Sequence, residues 1–266
     1  MHLNQHQLDT IHRDGFLLLP SLFSNSEIDR LSERLPALWS ERCQANILEK
    51  DSDTVRMTLA LHKRDKRFAE LVVDPRLVTP AQQLRPEPLY IQQTKVNNKA
   101  PNSKDIWQWH HDFGNHRIND GIARPLALNI HVFLDDVDHF NGPICFIPGS
   151  HVAKDDTLID HNVFYDDQTS SFAVWAVDDD VVKHRLLAAE KRQAGRSIVA
   201  ATGVRGSALI FFDTTLHCSP ANISLNKRSI FSMIVNPVSN KYTIDTRPDH
   251  LHHKDLTPLP NYAVAV

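Results

Sequence analysis

Leu126-Ala127-Leu128-Asn129-Ile130-His131-Val132-Phe133-Leu134 alternates in side-chain character, as a strand with one apolar and one mixed face does. Runs around it read the same way. Leu89, Ile91, Thr94 and Val96 sit in a β-rich stretch, residues 143–147 follow the Asn141-Gly142 turn, and 207–212 and 229–235 form two more strands. Upstream the period changes. Residues 3–13 read as a helix stopped at Gly15, and 16–20 as a buried strand. Ser24-Asn25-Ser26-Glu27 is a capping box, after which Ile28, Leu31, Leu35, Leu38 and Trp39 recur at helical spacing. More helix is expected near 66–73, 76–84 and 178–191. Helices first and antiparallel strands later give an α+β protein, mainly β, built on a sandwich or barrel. No linker divides the chain, so one domain is expected over 1–266, with 1–87 mostly helical.

Composition removes several functions. The chain has 266 residues, 41% hydrophobic and 23% charged, with a formal net charge of -3. That balance offers no basic face for nucleic acid or a membrane surface. Among 8 glycines there is neither a dinucleotide-binding G-x-G-x-x-G nor a P-loop. Cys43, Cys145 and Cys218 form no C-x-x-C pair, which argues against a cysteine-built zinc site and a disulfide framework. The start, Met1 to His6, lacks the basic and apolar regions of a signal peptide, and no apolar run reaches the ~20 residues of a membrane span. A soluble, cytoplasmic protein is expected.

Histidine is abundant, with 16 copies, so H-x-[DE] should arise by chance roughly twice. It occurs at His12/Asp14, His110/Asp112 and His253/Asp255, and only context separates them. The first straddles a helix end and reads as solvent-exposed. The third lies in the polar tail 250–255 and reads as solvated or end-packing. The second follows Trp107-Gln108-Trp109 in the strand-rich half, where residues i and i+2 share a face and can converge on one ion. His217, after the apolar strand 207–212, supplies a third ligand. Two imidazoles and a carboxylate leave three octahedral positions open, the arrangement of non-haem Fe(II) oxygenases. Zinc tolerates the same donors but usually keeps one open position, and no general-base carboxylate stands in a zincin-type motif. Arg228 heads the next strand, where a guanidinium could hold the distal carboxylate of a chelating 2-oxo acid.

With these residues in place, the chain resembles the phytanoyl-CoA dioxygenase-like Fe(II)/2-oxoglutarate oxygenases, most nearly the branch of ectoine and free-amino-acid hydroxylases. The likeness runs from His12-Arg13-Asp14-Gly15-Phe16 through Trp109-His110-His111-Asp112-Phe113, Asn119-Asp120-Gly121 and Asn141-Gly142-Pro143. It continues in Ile147-Pro148-Gly149-Ser150-His151, His217-Cys218-Ser219-Pro220 and the tail from Arg247-Pro248 to Thr257-Pro258. The resemblance implies a double-stranded β-helix (a cupin-like jelly roll) over 88–240 with flanking N-terminal helices. It implies Fe(II) on His110, Asp112 and His217, and the 2-oxoglutarate C5 carboxylate on Arg228. Asn97, Ser219, Trp107 and Asn129 would complete the 2-oxoglutarate pocket; Gln93, Lys95 and His116 would meet substrate, His116 standing where Trp is frequent. His151 and Pro148 would serve the fold. No catalytic residue is implied beyond the iron centre.

What the resemblance implies for activity is hydroxylation of an unactivated C–H bond, coupled to oxidative decarboxylation of 2-oxoglutarate by O2. The retained Asp112 favours hydroxylation, since related halogenases replace that carboxylate. A free amino acid or amino-acid-derived metabolite is the expected substrate, bound for a biosynthetic pathway, with Lys95 as clamp for its carboxylate. The alternatives are an ectoine-type, CoA or carrier-tethered substrate, with desaturation or epoxidation on the same centre, or a non-catalytic jelly-roll binding protein. Carrier docking would call for a basic surface, and a degenerate binder would have lost a ligand. Residues 152–177, with Phe164, Tyr165, Phe172 and Trp175, read as a lid, and Asp166-Asp167 and Asp178-Asp179-Asp180 could draw a cationic substrate. The partner is a small molecule, and a homodimer is left open.

Overall fold

The computed structural model describes residues 1–50, 52–152 and 174–262, together with the backbone of 163–166. Helix α1 (Gln5–Asp14) opens on a reciprocal cap between Asn4 and Gln7. It ends at Gly15, whose φ of 91° and neighbours leave no room for a side chain: a Cβ would lie 2.5 Å from His151 Nδ1. β1 (Phe16–Leu19) follows. The Ser24–Glu27 box starts α2 (Asn25–Ser32) as expected, but the helical spacing through Trp39 is not one helix. α3 (Leu35–Ser40) starts afresh with Pro36 in its first turn, because proline lacks an amide and disfavours helix in the residue before it. β2 (Asn46–Leu48), β3 (Val55–Leu59) and α4 (Leu61–Arg64) precede α5 (Lys66–Val72) and α6 (Pro75–Leu84), the last two close to their expected positions.

The later chain supplies β4 (Leu89–Lys99), β5 (Trp107–His110), α7 (Asp112–Asp120), β6 (Leu128–Phe133), β7 (Ile144–Phe146), β8 (Val163–Asp166) and β9 (Val174–Val177). Then come α8 (Asp179–Arg192), β10 (Val199–Ala201), β11 (Ala208–Phe212), β12 (His217–Ser219) and β13 (Arg228–Pro237). A seven-stranded sheet runs β1-β11-β6-β13-β4-β3-β2 and a four-stranded sheet runs β10-β7-β12-β5, while β8 pairs with β9. Neighbours are antiparallel throughout these sheets. The fold is a jelly roll with helices laid on the larger sheet.

Alternation in 126–134 does not mean a wet face, since every residue of β6 is buried. Leu128, Ile130 and Val132 pack outward on the helical layer, against residues such as Phe68, Leu77 and Val78. The other face looks between the sheets. There Phe133 joins Phe146, Leu209 and Phe211 in a second apolar cluster, and Asn129 and His131 line a cavity. Among the described residues, no helix is long and apolar enough to cross a membrane.

Candidate active site

A cavity of about 910 Å³, part of it open to solvent, lies between the two sheets. His110 ends β5, and antiparallel pairing sets His217 of β12 directly opposite, with ring centroids 4.2 Å apart. His110 Nδ1 donates to Gln108 O at 2.7 Å and His217 Nδ1 to Thr215 O at 2.9 Å. A carbonyl only accepts, so both rings carry their proton on Nδ1 and present an Nε2 lone pair. Burial, then the neighbouring His217, pushes His110 down to about 3, and burial lowers His217 as well. Both are ready as neutral metal ligands.

Asp112 reaches them by a different route from the extended strand expected. β5 stops at His110, His111 turns its ring to accept the Gly114 amide at 3.0 Å, and Asp112 is the first residue of α7. The carboxylate thus sits in the first helical turn, where the helix dipole favours it. Its oxygens lie 3.8 Å from His110 Nε2 and 3.9 Å from His217 Nε2, and the three donor atoms fall within 4.8 Å of one another. Two neutral imidazoles and one carboxylate fit Fe(II).

Arg228, 2% exposed, stands at the head of β13. Its Nη2 donates to Ser219 Oγ at 2.9 Å and to Gly142 O, while Ser219 Oγ donates to the same carbonyl at 3.0 Å. Gly142 has φ +78°, and a Cβ there would meet Lys99 Cδ at 2.6 Å and Pro220 O at 2.8 Å. Burial lowers Arg228 to about 10, so it stays charged at neutral pH. Arg228 Nε, Asn97 Oδ1 and Asn129 Nδ2 are buried with no hydrogen-bond partner among the described residues. Such orphans are costly, and the oxygens of a bound 2-oxo acid would meet the need of two of them. Trp107 is covered by the Arg56 guanidinium, 3.7 Å from the ring centroid.

Period 2 puts Gln93, Lys95 and Asn97 of β4 on one face, toward the cavity. Gln93 is partly committed, donating to Leu251 O at 2.7 Å. Lys95 has no hydrogen bond or ion pair among the described residues. His116, on α7, lies 3.2 Å through Nδ1 from Asp120. The structure therefore brings all eleven anticipated positions to one cavity.

Three residues escaped the sequence reading. His131, which shares a face with Asn129, bonds through Nε2 to Ser232 Oγ at 2.8 Å; a polar pair in an apolar strand was the available signal. Arg247 lines the cavity and clamps Asp120 through two nitrogens. His252 lies 3.0 Å from the same carboxylate. His116, Asp120 and His252 are spaced like metal ligands, but the Arg247 guanidinium already occupies both carboxylate oxygens, which makes a second cation there unfavourable. Burial alone would raise the Asp120 carboxyl; His116, His252 and Arg247 outweigh it and hold the carboxyl below its usual range.

One H-x-[DE] reading needs correction, and the structure decides the tail between its two expected states, in favour of packing. His12 is exposed, but Asp14 is buried and receives Arg13 and Arg196. In the polar tail His252 and His253 are buried, because the tail packs across β4 with His253 N donating to Gln92 O. His151 stacks on Phe212, away from the cavity. Asp178 caps α8 by accepting from the Asp180 amide. The expected lid mostly falls outside the described residues, as do the side chains of Phe164, Tyr165, Asp166, Asp167 and Phe172; Val174 lines the cavity and Trp175 N donates to Asn115 Oδ1.

Comparison with known proteins agrees with this geometry. The phytanoyl-CoA dioxygenase (PhyH) family matches residues 11–230. An L-proline trans-4-hydroxylase of Streptomyces griseoviridis is 33% identical over 253 residues, covering 93% of this chain and 91% of that one. An ectoine dioxygenase of Bordetella bronchiseptica is 32% identical over 262 residues, covering 94% and 82%. Among solved structures, EctD from S. alaskensis with bound Fe superposes with a TM-score of 0.79 at 26% identity, covering 97% of this chain and 86% of that one. The same enzyme has been solved with 2-oxoglutarate and 5-hydroxyectoine. The chain belongs to the phytanoyl-CoA dioxygenase family and is an Fe(II)- and 2-oxoglutarate-dependent dioxygenase.

Proposed function

We propose that this enzyme hydroxylates an unactivated C–H bond of a free amino acid or a small amino-acid derivative, in a biosynthetic pathway. In this reading His110, Asp112 and His217 hold Fe(II), and Arg228, with Ser219, Asn97, Asn129 and Trp107, seats 2-oxoglutarate. When bound, iron, 2-oxoglutarate and O2 supply the oxidising power. The chain's own residues do the rest. The Nδ1 bonds of His110 and His217 fix both rings, Ser219 and Gly142 aim Arg228, and the two sheets hold these groups around one cavity. Gln93, Lys95 and His116 orient the substrate.

The observation that carries the substrate class is Lys95, which lines the cavity with no hydrogen bond or ion pair among the described residues, the acidic group that acts on it being Asp112, itself an iron ligand in this reading. A desolvated ammonium calls for an anion, and a substrate carboxylate supplies one. The relatives that act on L-proline and on ectoine support the same class. A cytoplasmic setting suits the reading, with Cys43, Cys145 and Cys218 as free thiols. Succinate release tests it, measured with Fe(II) and 2-oxoglutarate against amino acids and ectoine. Substrate-dependent succinate is expected from an amino acid; release with ectoine alone would move the assignment to the ectoine type, and no stimulation by any compound would refute the class.

A further inference from the structure

Asp120 closes α7, fully buried, with its acceptors in use. Its carboxylate takes Arg247 Nε at 2.8 Å and Arg247 Nη2 at 2.5 Å, and lies near His116 Nδ1 and His252 Nδ1. Its carbonyl accepts the Thr243 and Ile244 amides at 2.9 and 3.0 Å. An ionised carboxylate only accepts, so the shared proton sits on His116 Nδ1. Burial disfavours a second proton on the ring. His116 Nε2 is then a bare acceptor, on a ring that lines the cavity, with no partner among the described residues.

Lys95 stands in the same cavity with no hydrogen-bond acceptor among the described residues, Asp112 being the acidic group that acts on it, while Arg247 is matched by Asp120. Among the described residues, and away from the metal ligands and Arg228, Lys95 is thus the cavity's cation without a hydrogen bond and His116 Nε2 is one acceptor without a donor; Asn97 Oδ1 is another, and His131 Nδ1 is also unpartnered. A plain carboxylic acid would satisfy Lys95 and leave His116 desolvated without a donor. Sites built to hydrogen-bond a substrate N–H reject analogues without it, because the buried acceptor is left unpaired.

We propose that His116, its tautomer set by Asp120, selects substrates by their amine: Nε2 accepts an N–H of the amino-acid substrate while the carboxylate lies on Lys95. This rests on the amino-acid reading above and adds which group is read. Asp120, through Arg247 and His252, is the positioning residue that ties this acceptor to the 243–252 segment.

Anaerobic calorimetry on the protein carrying Fe(II) and 2-oxoglutarate tests it. The probes are the twenty proteinogenic amino acids, each paired with the acid lacking its α-amine, such as cyclopentanecarboxylate for L-proline. The tightest amino acid should bind about tenfold or more tighter than its amine-free partner, the effect of one unsatisfied buried acceptor. His116→Leu should bring that ratio to about one, and His116→Gln, whose amide oxygen accepts, should recover much of it. Imidazole ¹⁵N spectra should show Nδ1–H at His116. An unchanged ratio in a folded His116→Leu protein, or an Nε2–H tautomer, overturns the proposal while the amino-acid reading stands. Binding of no amino acid by a protein that still consumes 2-oxoglutarate with Fe(II) overturns both.

Discussion

Arg228 shows what a single side chain contributes to this site. It is buried with one nitrogen committed to Ser219 and Gly142 and another without a hydrogen-bond partner among the described residues, which suits the guanidinium to a carboxylate. Arg228→Ala should raise the KM for 2-oxoglutarate by about 30-fold or more, the equivalent of the ~2 kcal/mol or more lost when one partner of a buried charge pair is truncated. Arg228→Lys should recover only part, since an ammonium cannot make the paired contact; steady-state kinetics with varied 2-oxoglutarate decide. The same scale explains what sequence could disclose. His110, Asp112, His217 and Arg228 were legible because donor type and order are chemical, whatever backbone carries them. The backbone was misread at Asp112, because a strand that turns into a helix at His111 depends on a side-chain cap, which no period records. Arg247 was hidden for another reason: its partner Asp120 is 127 positions away, and such a pairing leaves no local trace.

Elements long enough to show a period were legible, and very short ones were not. β2, β10 and β12 have 3 residues each, less than two full alternations, so their existence follows from pairing with neighbours. The capping box of α2 is the opposite case, a local signal realised in full. Ser24 accepts the Glu27 amide, and Glu27 returns to the Ser24 amide and bonds Arg76. Ser24→Ala should cost about 1 kcal/mol of stability. Arg76 first, then Ser24, lowers the Glu27 carboxyl from 4.5 to about 2. A depressed acid stabilises the fold above its unfolded pKa and loses that contribution as pH falls toward its folded pKa. Glu27→Gln should therefore melt slightly below the parent at pH 7, by under about 1 kcal/mol for so exposed a pair, and the two curves should converge between pH 4.5 and about 2. A constant offset across that range would show that charge is irrelevant to the cap. In the turn before β7, Gly142→Ala should cost more than about 1 kcal/mol, since the new Cβ meets backbone at a positive φ. It should also weaken 2-oxoglutarate binding, as Gly142 O positions Arg228.

Across the whole molecule, the segment after β13 carries Arg247 to the cavity wall. It crosses β4 through His253 N to Gln92 O and Leu259 N to Leu89 O, and anchors beyond it through Tyr262 Oη to Val73 O at 2.7 Å. Its ionic tie is Arg247 to Asp120, with the carboxylate 1% exposed and the guanidinium 18%. The strand-rich body was legible, but a polar tail with three histidines between 250 and 253 leaves a solvated and an end-packing reading open until its partner is known. Arg247→Met would leave Asp120 buried with only imidazoles beside it. Removing one member of a buried pair typically costs about 3–5 kcal/mol, or roughly 6–20 °C in Tm for a domain near this size. Asp120→Asn added to Arg247→Met removes the stranded charge and should restore most of that loss, because deleting both partners spares the desolvation of one. Calorimetric melting of the two single variants and the double variant reads the coupling directly. Additive losses would mean that the segment is held by its backbone bonds and packing alone, and that the pair contributes nothing to holding Arg247 at the cavity wall.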